Sequence, residues 1–227
     1  MPDFKVRQLG KYGQMTVYLV NGEAIRDSSL ANEEFGTNAI HCDFPALIPA
    51  GELWIEDDVP QKEIQFLVVN GLARYRLMLG GMPQEKAYDR ALELETRTRS
   101  SGTGTKNISK QLLYTYGQYN VYLVKGFAVR DKYKTDFIEG GNHSAYEWIP
   151  QGEIWIEAAL HENEYPFILG HEASEDYIIT TFKLTYDQAH KIASLIEYKM
   201  REHGQVSLED AIPLAFHVMR KMQIRGR

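Results

Sequence analysis

Apolar and polar residues alternate in ways that predict both strands and helices. In GEIWIE at 152–157, Ile154 and Ile156 alternate with Glu and Trp, which predicts a short strand with one polar or partly covered face. Apolar residues then follow at helical spacing from about Pro166 to about Phe182, and proline is favoured in a first helical turn. A strand followed by a helix is therefore predicted here.

Two further helices are predicted after this one. Thr185 can cap a helix together with Gln188, and apolar residues then share one face: Ala189, Ile192, Ala193 and Ile196. Ser207 begins a capping-box sequence, Ser-Leu-Glu-Asp, before a last helix. Upstream, the pair Asn21-Gly22 between VYLV and EAIRD predicts a β-hairpin, and 125–126 repeats the pattern. Strands followed by helices in this order predict an α+β fold.

The chain contains a tandem duplication. Residues 12–27, YGQMTVYLVNGEAIRD, share eleven identities with 116–131, YGQYNVYLVKGFAVRD, and IPAGELWIE at 48–56 matches IPQGEIWIE at 149–157 in seven of nine positions. The offset changes from 104 to 101, so copy one carries three extra residues in a surface loop between these blocks. A period near 100 is typical of domain duplication rather than of a solenoid.

The duplication predicts two domains. The first repeat spans 1–97, and TRSSGTGTKNISK at 98–110 has the composition of a flexible linker. The second repeat spans 111–227 and adds the C-terminal helix. Each repeat is expected to contain short strands with a hairpin, followed by two helices.

Composition and charge narrow the classes of protein. The 44% apolar and 25% charged fractions are those of a globular domain, and a net charge of -6 argues against a nucleic-acid partner. Cys42 is the only cysteine, so an internal disulfide and a cysteine-rich zinc motif are excluded. No 18-residue apolar span or signal sequence is present, so no membrane partner and a cytoplasmic location are expected.

The two repeats differ at polar positions of the helix after GEIWIE. FLVVNGLAR at 66–74 aligns with FILGHEASE at 167–175, so that Asn70, Gly71 and Arg74 take the places of His171, Glu172 and Glu175. On the next helix, Tyr88 stands where copy two has His190, within one residue. The shared apolar framework serves the fold, so a site, if the chain has one, is expected in copy two.

The residues found only in copy two can form a metal site. His171 and Glu175 lie one turn apart on the same helical face, and His190 on the next helix can complete a set of two imidazoles and one carboxylate. This is a common catalytic zinc set that leaves a position for water. It requires the three side-chain donors to converge within about 4 Å of one another.

The string His171-Glu172-Ala173-Ser174-Glu175 resembles the HExxH signature of the zincin metallopeptidases, with glutamate in place of the second histidine. The resemblance implies that Glu172 is the general base acting on zinc-bound water, and that the substrate is a peptide or amide bond. It also implies that the upstream strand IWIE aligns the substrate, so an extended peptide could pair with its edge. The larger framework, VYLVxGxAxRD followed by IPxGEIWIE and the His-Glu helix, is similar to phage and bacterial proteins of unknown activity.

Several other residues are interpreted as serving the fold rather than a site. His41 and His143 occur in both repeats and are expected to fix a loop, while Arg-Asp at 26–27 and at 130–131 is expected to form a salt bridge or turn cap. Trp54 and Trp155 are expected in the core or between the copies. The Gly-Gly pairs lack a phosphate-binding fingerprint.

Two alternatives to the metal site stay open. Glu175 is equally consistent with a solvated helix surface. The rival function is a non-catalytic binding or assembly protein with two pseudo-symmetric halves.

Overall fold

The structure is a computed structural model that describes residues 3–28, 35–99, 108–133 and 136–223. The chain forms two compact units, of which unit 1 comprises 1–107 with 127–136 and unit 2 comprises 108–126 with 137–227. Residues 100–107 of the predicted linker lie outside the described part, as do residues 29–34 of the loop predicted to hold the three extra residues. No helix in the described ranges is long and apolar enough to cross a bilayer.

Unit 1 contains a four-stranded sheet and two long helices. Its elements in chain order are β1 (Lys5–Tyr12), β2 (Met15–Val20), α1 (Gly22–Arg26), β3 (Asn38–Ile40), β4 (Glu52–Glu56), α2 (Ile64–Leu79) and α3 (Gln84–Arg99). The sheet order is β1-β2-β4-β3, with β2 and β4 parallel and the outer pairs antiparallel. The helix α4 (Gly126–Tyr133) belongs to this unit from residue 127 onward.

Unit 2 repeats this order and adds a helix. Its elements are β5 (Lys110–Tyr116), β6 (Tyr119–Val124), β7 (Gly140–Asn142), β8 (Glu153–Glu157), α5 (Tyr165–Phe182), α6 (Tyr186–Arg201) and α7 (Leu208–Lys221). The sheet order is β5-β6-β8-β7. The predicted α+β fold with two similar strand-helix units and a C-terminal helix is confirmed.

The predicted helix boundaries agree closely with those in the structure. Helix α5 begins one residue before Pro166, and α6 starts after Thr185, whose side chain and that of Gln188 form the expected capping box. Ser207 caps α7 by accepting a hydrogen bond from the backbone N–H of Asp210. The apolar faces of α5, α6 and α7 bury one continuous core in unit 2 with the sheet, including Ile154, Ile168, Ile196 and Ile212.

The predicted β-hairpin at Asn21-Gly22 is wrong. Asn21 caps helix α1, because its side-chain oxygen accepts a hydrogen bond from the backbone N–H of Ala24 at 2.8 Å. Glycine is needed here because a Cβ at Gly22 would overlap the carboxylate of Glu56, and Gly126 has the same relation to Glu157. The hairpin instead joins β1 to β2 in unit 1.

The predicted edge position of IWIE is also wrong. Strand β8 is an inner strand, paired in parallel with β6 and antiparallel with β7. Both of its faces are covered, since Trp155 is 3% exposed on one face and Ile156 is 0% exposed on the other. A peptide therefore has no free backbone edge to pair with on β8.

Features shared by the repeats have matching structural roles. His41 Nδ1 lies 2.6 Å from the carbonyl oxygen of Ile48, and His143 Nδ1 lies 2.7 Å from that of Ile149, so both histidines fix a loop as expected. The repeats share a tryptophan, Trp54 in unit 1 and Trp155 in unit 2. Each is buried and donates its indole N–H to a glutamate two residues earlier in its own strand.

Candidate metal centre

Helices α5 and α6 bring three potential metal ligands together in unit 2. His190 Nδ1 lies 3.0 Å from Glu175 Oε2 and 3.2 Å from His171 Nε2. His171 Nε2 lies 3.8 Å from Glu175 Oε2. One ligand atom from each side chain therefore faces the same small volume, as a shared ion requires.

The separations fit a metal ion that keeps open coordination positions. At metal–ligand distances of about 2.1 Å, they subtend angles of roughly 90°, 100° and 130° at the ion. These angles sum to less than 360°, so the ion would lie to one side of the plane of the three donors. The group therefore covers one face of an ion and leaves the other for water or substrate.

Burial differs among the three donors. His171 and Glu175 are 3% and 1% exposed, whereas the side chain of His190 is 42% exposed. The His190 ring stacks on Tyr186 with a centroid distance of 5.6 Å. Of the three donor side chains, that of His190 is therefore the one most exposed to solvent.

The Glu175 carboxylate is held in place from two directions. Its Oε1 accepts a hydrogen bond of 2.9 Å from Asn142 Nδ2, which leaves Oε2 to face the imidazoles. Burial by itself would raise the pKa of Glu175, but interactions with His171 and His190 outweigh it and hold the pKa at about 2, below its ordinary 4.5. The group is therefore an anion at neutral pH, the form in which a carboxylate binds a metal ion.

Asn142 connects Glu172 to this group. Its Nδ2 also donates to Glu172 Oε2 at 2.8 Å, and its Oδ1 accepts the backbone N–H groups of Ser144 and Ala145. The two backbone donors fix which end of the amide is the oxygen, so Nδ2 must point at both carboxylates. Glu172 therefore lies over β7, one amide away from the donor Glu175.

A second polar network that adjoins Asn142 is also specific to unit 2. Asp176 accepts hydrogen bonds from Tyr119 Oη at 2.9 Å and from Ser144 Oγ at 2.6 Å. Burial and the Asp176 carboxylate raise the pKa of Tyr119. At the matching positions, unit 1 has Met15 for Tyr119 and Tyr75 for Asp176. The polar differences between the repeats are thus concentrated around Asn142 and the candidate metal ligands.

Unit 1 has the same helices without the donor set. Asn70, at the position of His171, donates from Nδ2 to Glu95 at 3.0 Å. Arg74, at the position of Glu175, forms an ion pair with Asp43 and lies over the Tyr88 ring, 5.4 Å from its centroid. A fixed guanidinium thus occupies unit 1 where unit 2 has the Glu175 carboxylate.

Two residues of the site were absent from the sequence prediction. Glu197 Oε2 lies 3.1 Å from His171 Nδ1, and Asn142 holds both Glu172 and Glu175. Glu197 follows His190 by seven residues, two turns along the same helical face, and this spacing is a signal that could have identified it. For Asn142 the signal is the counterpart Ile40 on β3, an apolar residue exchanged for a polar one in the core.

The chain has no recognised relative among the proteins compared with it. No family model, no curated protein and no solved structure matches it.

Proposed function

We propose that this protein is a zinc-dependent hydrolase with one active site, in unit 2, acting on peptide or amide bonds. His171, Glu175 and His190 would hold the ion. The convergence of their three donor atoms within 3.8 Å carries the proposal. Two imidazoles and a carboxylate on one face of an ion are a ligand set that zinc hydrolases use.

A zinc ion held there would supply an activated water and a Lewis acid for a carbonyl oxygen. Glu172 is proposed as the general base, and support comes from its place in the His-Glu string and its link through Asn142 to Glu175. Entry from the side of the half-exposed His190 would give substrate a route to the ion. Peptide or amide bonds are proposed as the target because of the zincin-like string.

Metal content is the first test. Purified protein loaded with zinc and freed of excess ion should contain about one zinc per chain by elemental analysis. His171→Ala should contain close to none, while Asn70→Ala, the matched change in unit 1, should keep one. A wild-type protein without stoichiometric metal, or equal zinc in both variants, would overturn the metal proposal.

Hydrolysis needs a separate test. The zinc-loaded protein, incubated with a quenched-fluorescence peptide library, should release fluorescence. Glu172→Gln should keep its zinc and lose about 10²–10⁴-fold in rate, as expected when a general base is removed. If the zinc-loaded protein cleaves no peptide, the hydrolase proposal is refuted, but the metal-centre proposal is not.

A non-catalytic binding or assembly protein is the second candidate. The near-complete burial of His171 and Glu175 favours it, because an ion held by such groups can stabilise a fold without reacting. In that case zinc removal should lower the melting temperature, and neither the zinc-loaded wild type nor Glu172→Gln should cleave peptides. A zinc-dependent peptidase activity would exclude this candidate.

A further inference from the structure

Glu197 is a buried carboxylate on α6 that lies outside the proposed ligand set. It is 3% exposed, and its Oε2 lies 3.1 Å from Nδ1 of His171, on the opposite side of the imidazole from Nε2. An ionised carboxylate only accepts hydrogen bonds. The proton of a neutral His171 ring must then sit on Nδ1, and Nε2 is left with the lone pair that faces Glu175 and His190.

Glu197 is itself held rigidly. Its Oε1 accepts hydrogen bonds from Arg201 Nε at 3.1 Å and Nη2 at 2.6 Å. Arg201 also forms a two-point pair with Glu164, at 3.0 and 2.9 Å, and lies over the Phe167 ring at 4.4 Å. Glu164 immediately precedes the first turn of α5. The contacts through Glu197 and Arg201 therefore connect His171 to the start of its own helix.

Unit 1 contains the same arrangement without an imidazole. Arg99 donates from Nε to Glu95 at 2.9 Å, pairs with Glu63 at 2.8 Å and lies over the Phe66 ring at 4.3 Å. Asn70 there donates to Glu95 in the place of His171. The glutamate-arginine-glutamate frame therefore serves folding in both units, and a role toward a metal ligand would be an addition found in unit 2.

We infer that Glu197 is a positioning residue of the metal centre, which fixes the Nδ1-protonated form and the orientation of His171 so that Nε2 binds the ion. The inference rests on the proposed metal centre. Carboxylates that accept the second N–H of a metal-bound histidine are common, and their loss typically reduces metal affinity by about 10–100-fold.

The matched pair Glu197→Gln and Glu95→Gln tests the inference. A glutamine at 197 can present its own N–H to Nδ1 and so no longer enforces one protonated form of the ring. Zinc affinity, measured by competition with a chromogenic chelator, should fall about 10–100-fold in Glu197→Gln and stay unchanged in Glu95→Gln. The absorption spectrum of the cobalt-substituted protein should change only in Glu197→Gln. Equal zinc affinity in the two variants would overturn the inference.

A measurement on the wild type covers the case in which Glu197→Gln fails to fold. Long-range ¹H–¹⁵N correlation spectra of the zinc-loaded protein distinguish the two neutral forms of each histidine. With peaks assigned by comparison with His171→Asn, His171 should carry its proton on Nδ1, and His190, which binds through Nδ1, should carry it on Nε2. A proton on Nε2 of His171 would overturn the inference. A wild type that binds no zinc would instead remove the metal proposal itself.

Discussion

The charged core of unit 1 should be convertible into a counterpart of the metal centre proposed in unit 2. Arg74 occupies the position of Glu175, so Arg74→Glu with Asn70→His and Tyr88→His would restore all three donors of unit 2. The supporting carboxylate is in place, because Glu95 contacts the side chain of residue 70 as Glu197 contacts that of residue 171. Position 88 is in register, since 88 and 95 in α3 match 190 and 197 in α6.

The change in unfolding free energy caused by Arg74→Glu follows from the ion pair that Arg74 makes. Its side chain and that of Asp43 are 5% and 17% exposed, and removing one partner of a buried pair costs about 3–5 kcal/mol. Arg74→Glu alone should therefore lower the unfolding free energy by about that amount. In the triple variant, zinc at about a hundredfold above its dissociation constant should return about 2.7 kcal/mol.

Urea unfolding with EDTA and with zinc measures these changes, and elemental analysis counts the ions. The triple variant should bind two zinc ions per chain against one for the wild type. The same triple variant with Arg74→Gln lacks the carboxylate and should bind one. A folded triple variant that binds one zinc, or an Arg74→Glu protein as stable as the wild type, would refute the equivalence of the two sites.

Three other predictions concern single residues. Asn142→Ile, which installs the unit 1 residue, should weaken zinc binding about 10–100-fold in chelator competition, because the proposed ligand Glu175 loses the hydrogen bond from Asn142; unchanged affinity would contradict this role. Burial opposes the ionisation of Glu63, but Arg99 and Arg130 together outweigh it and lower the pKa. The ionised Glu63 should stabilise the folded protein fully above its ordinary pKa of 4.5, and this stabilisation should be lost as the pH falls through the lowered pKa of the folded state. The urea midpoints of Glu63→Gln and of the wild type should therefore converge in acid. Gly22→Ala should cost roughly 1–3 kcal/mol of unfolding free energy, since the added Cβ meets Glu56, and an unchanged urea midpoint would disprove that overlap.

The three candidate ligands could be named from the sequence because they lie on regular helices. Spacing by four places His171 and Glu175 on one face whatever else surrounds them. His190 was found because its helix follows directly and its counterpart in the other repeat is a tyrosine. Asn142 was missed because it lies 29 residues before His171, in a three-residue strand whose pairing no local pattern predicts.

The sequence by itself determined the duplication, the long helices with their caps, and the α+β class, since all of these depend on local spacing or on comparison of the two repeats. Tertiary structure decided that β8 lies inside its sheet, because strand pairing joins segments far apart in the chain. It also decided that Glu197 and Asn142 meet the donors of α5. Those contacts arise only when helices and sheet pack together.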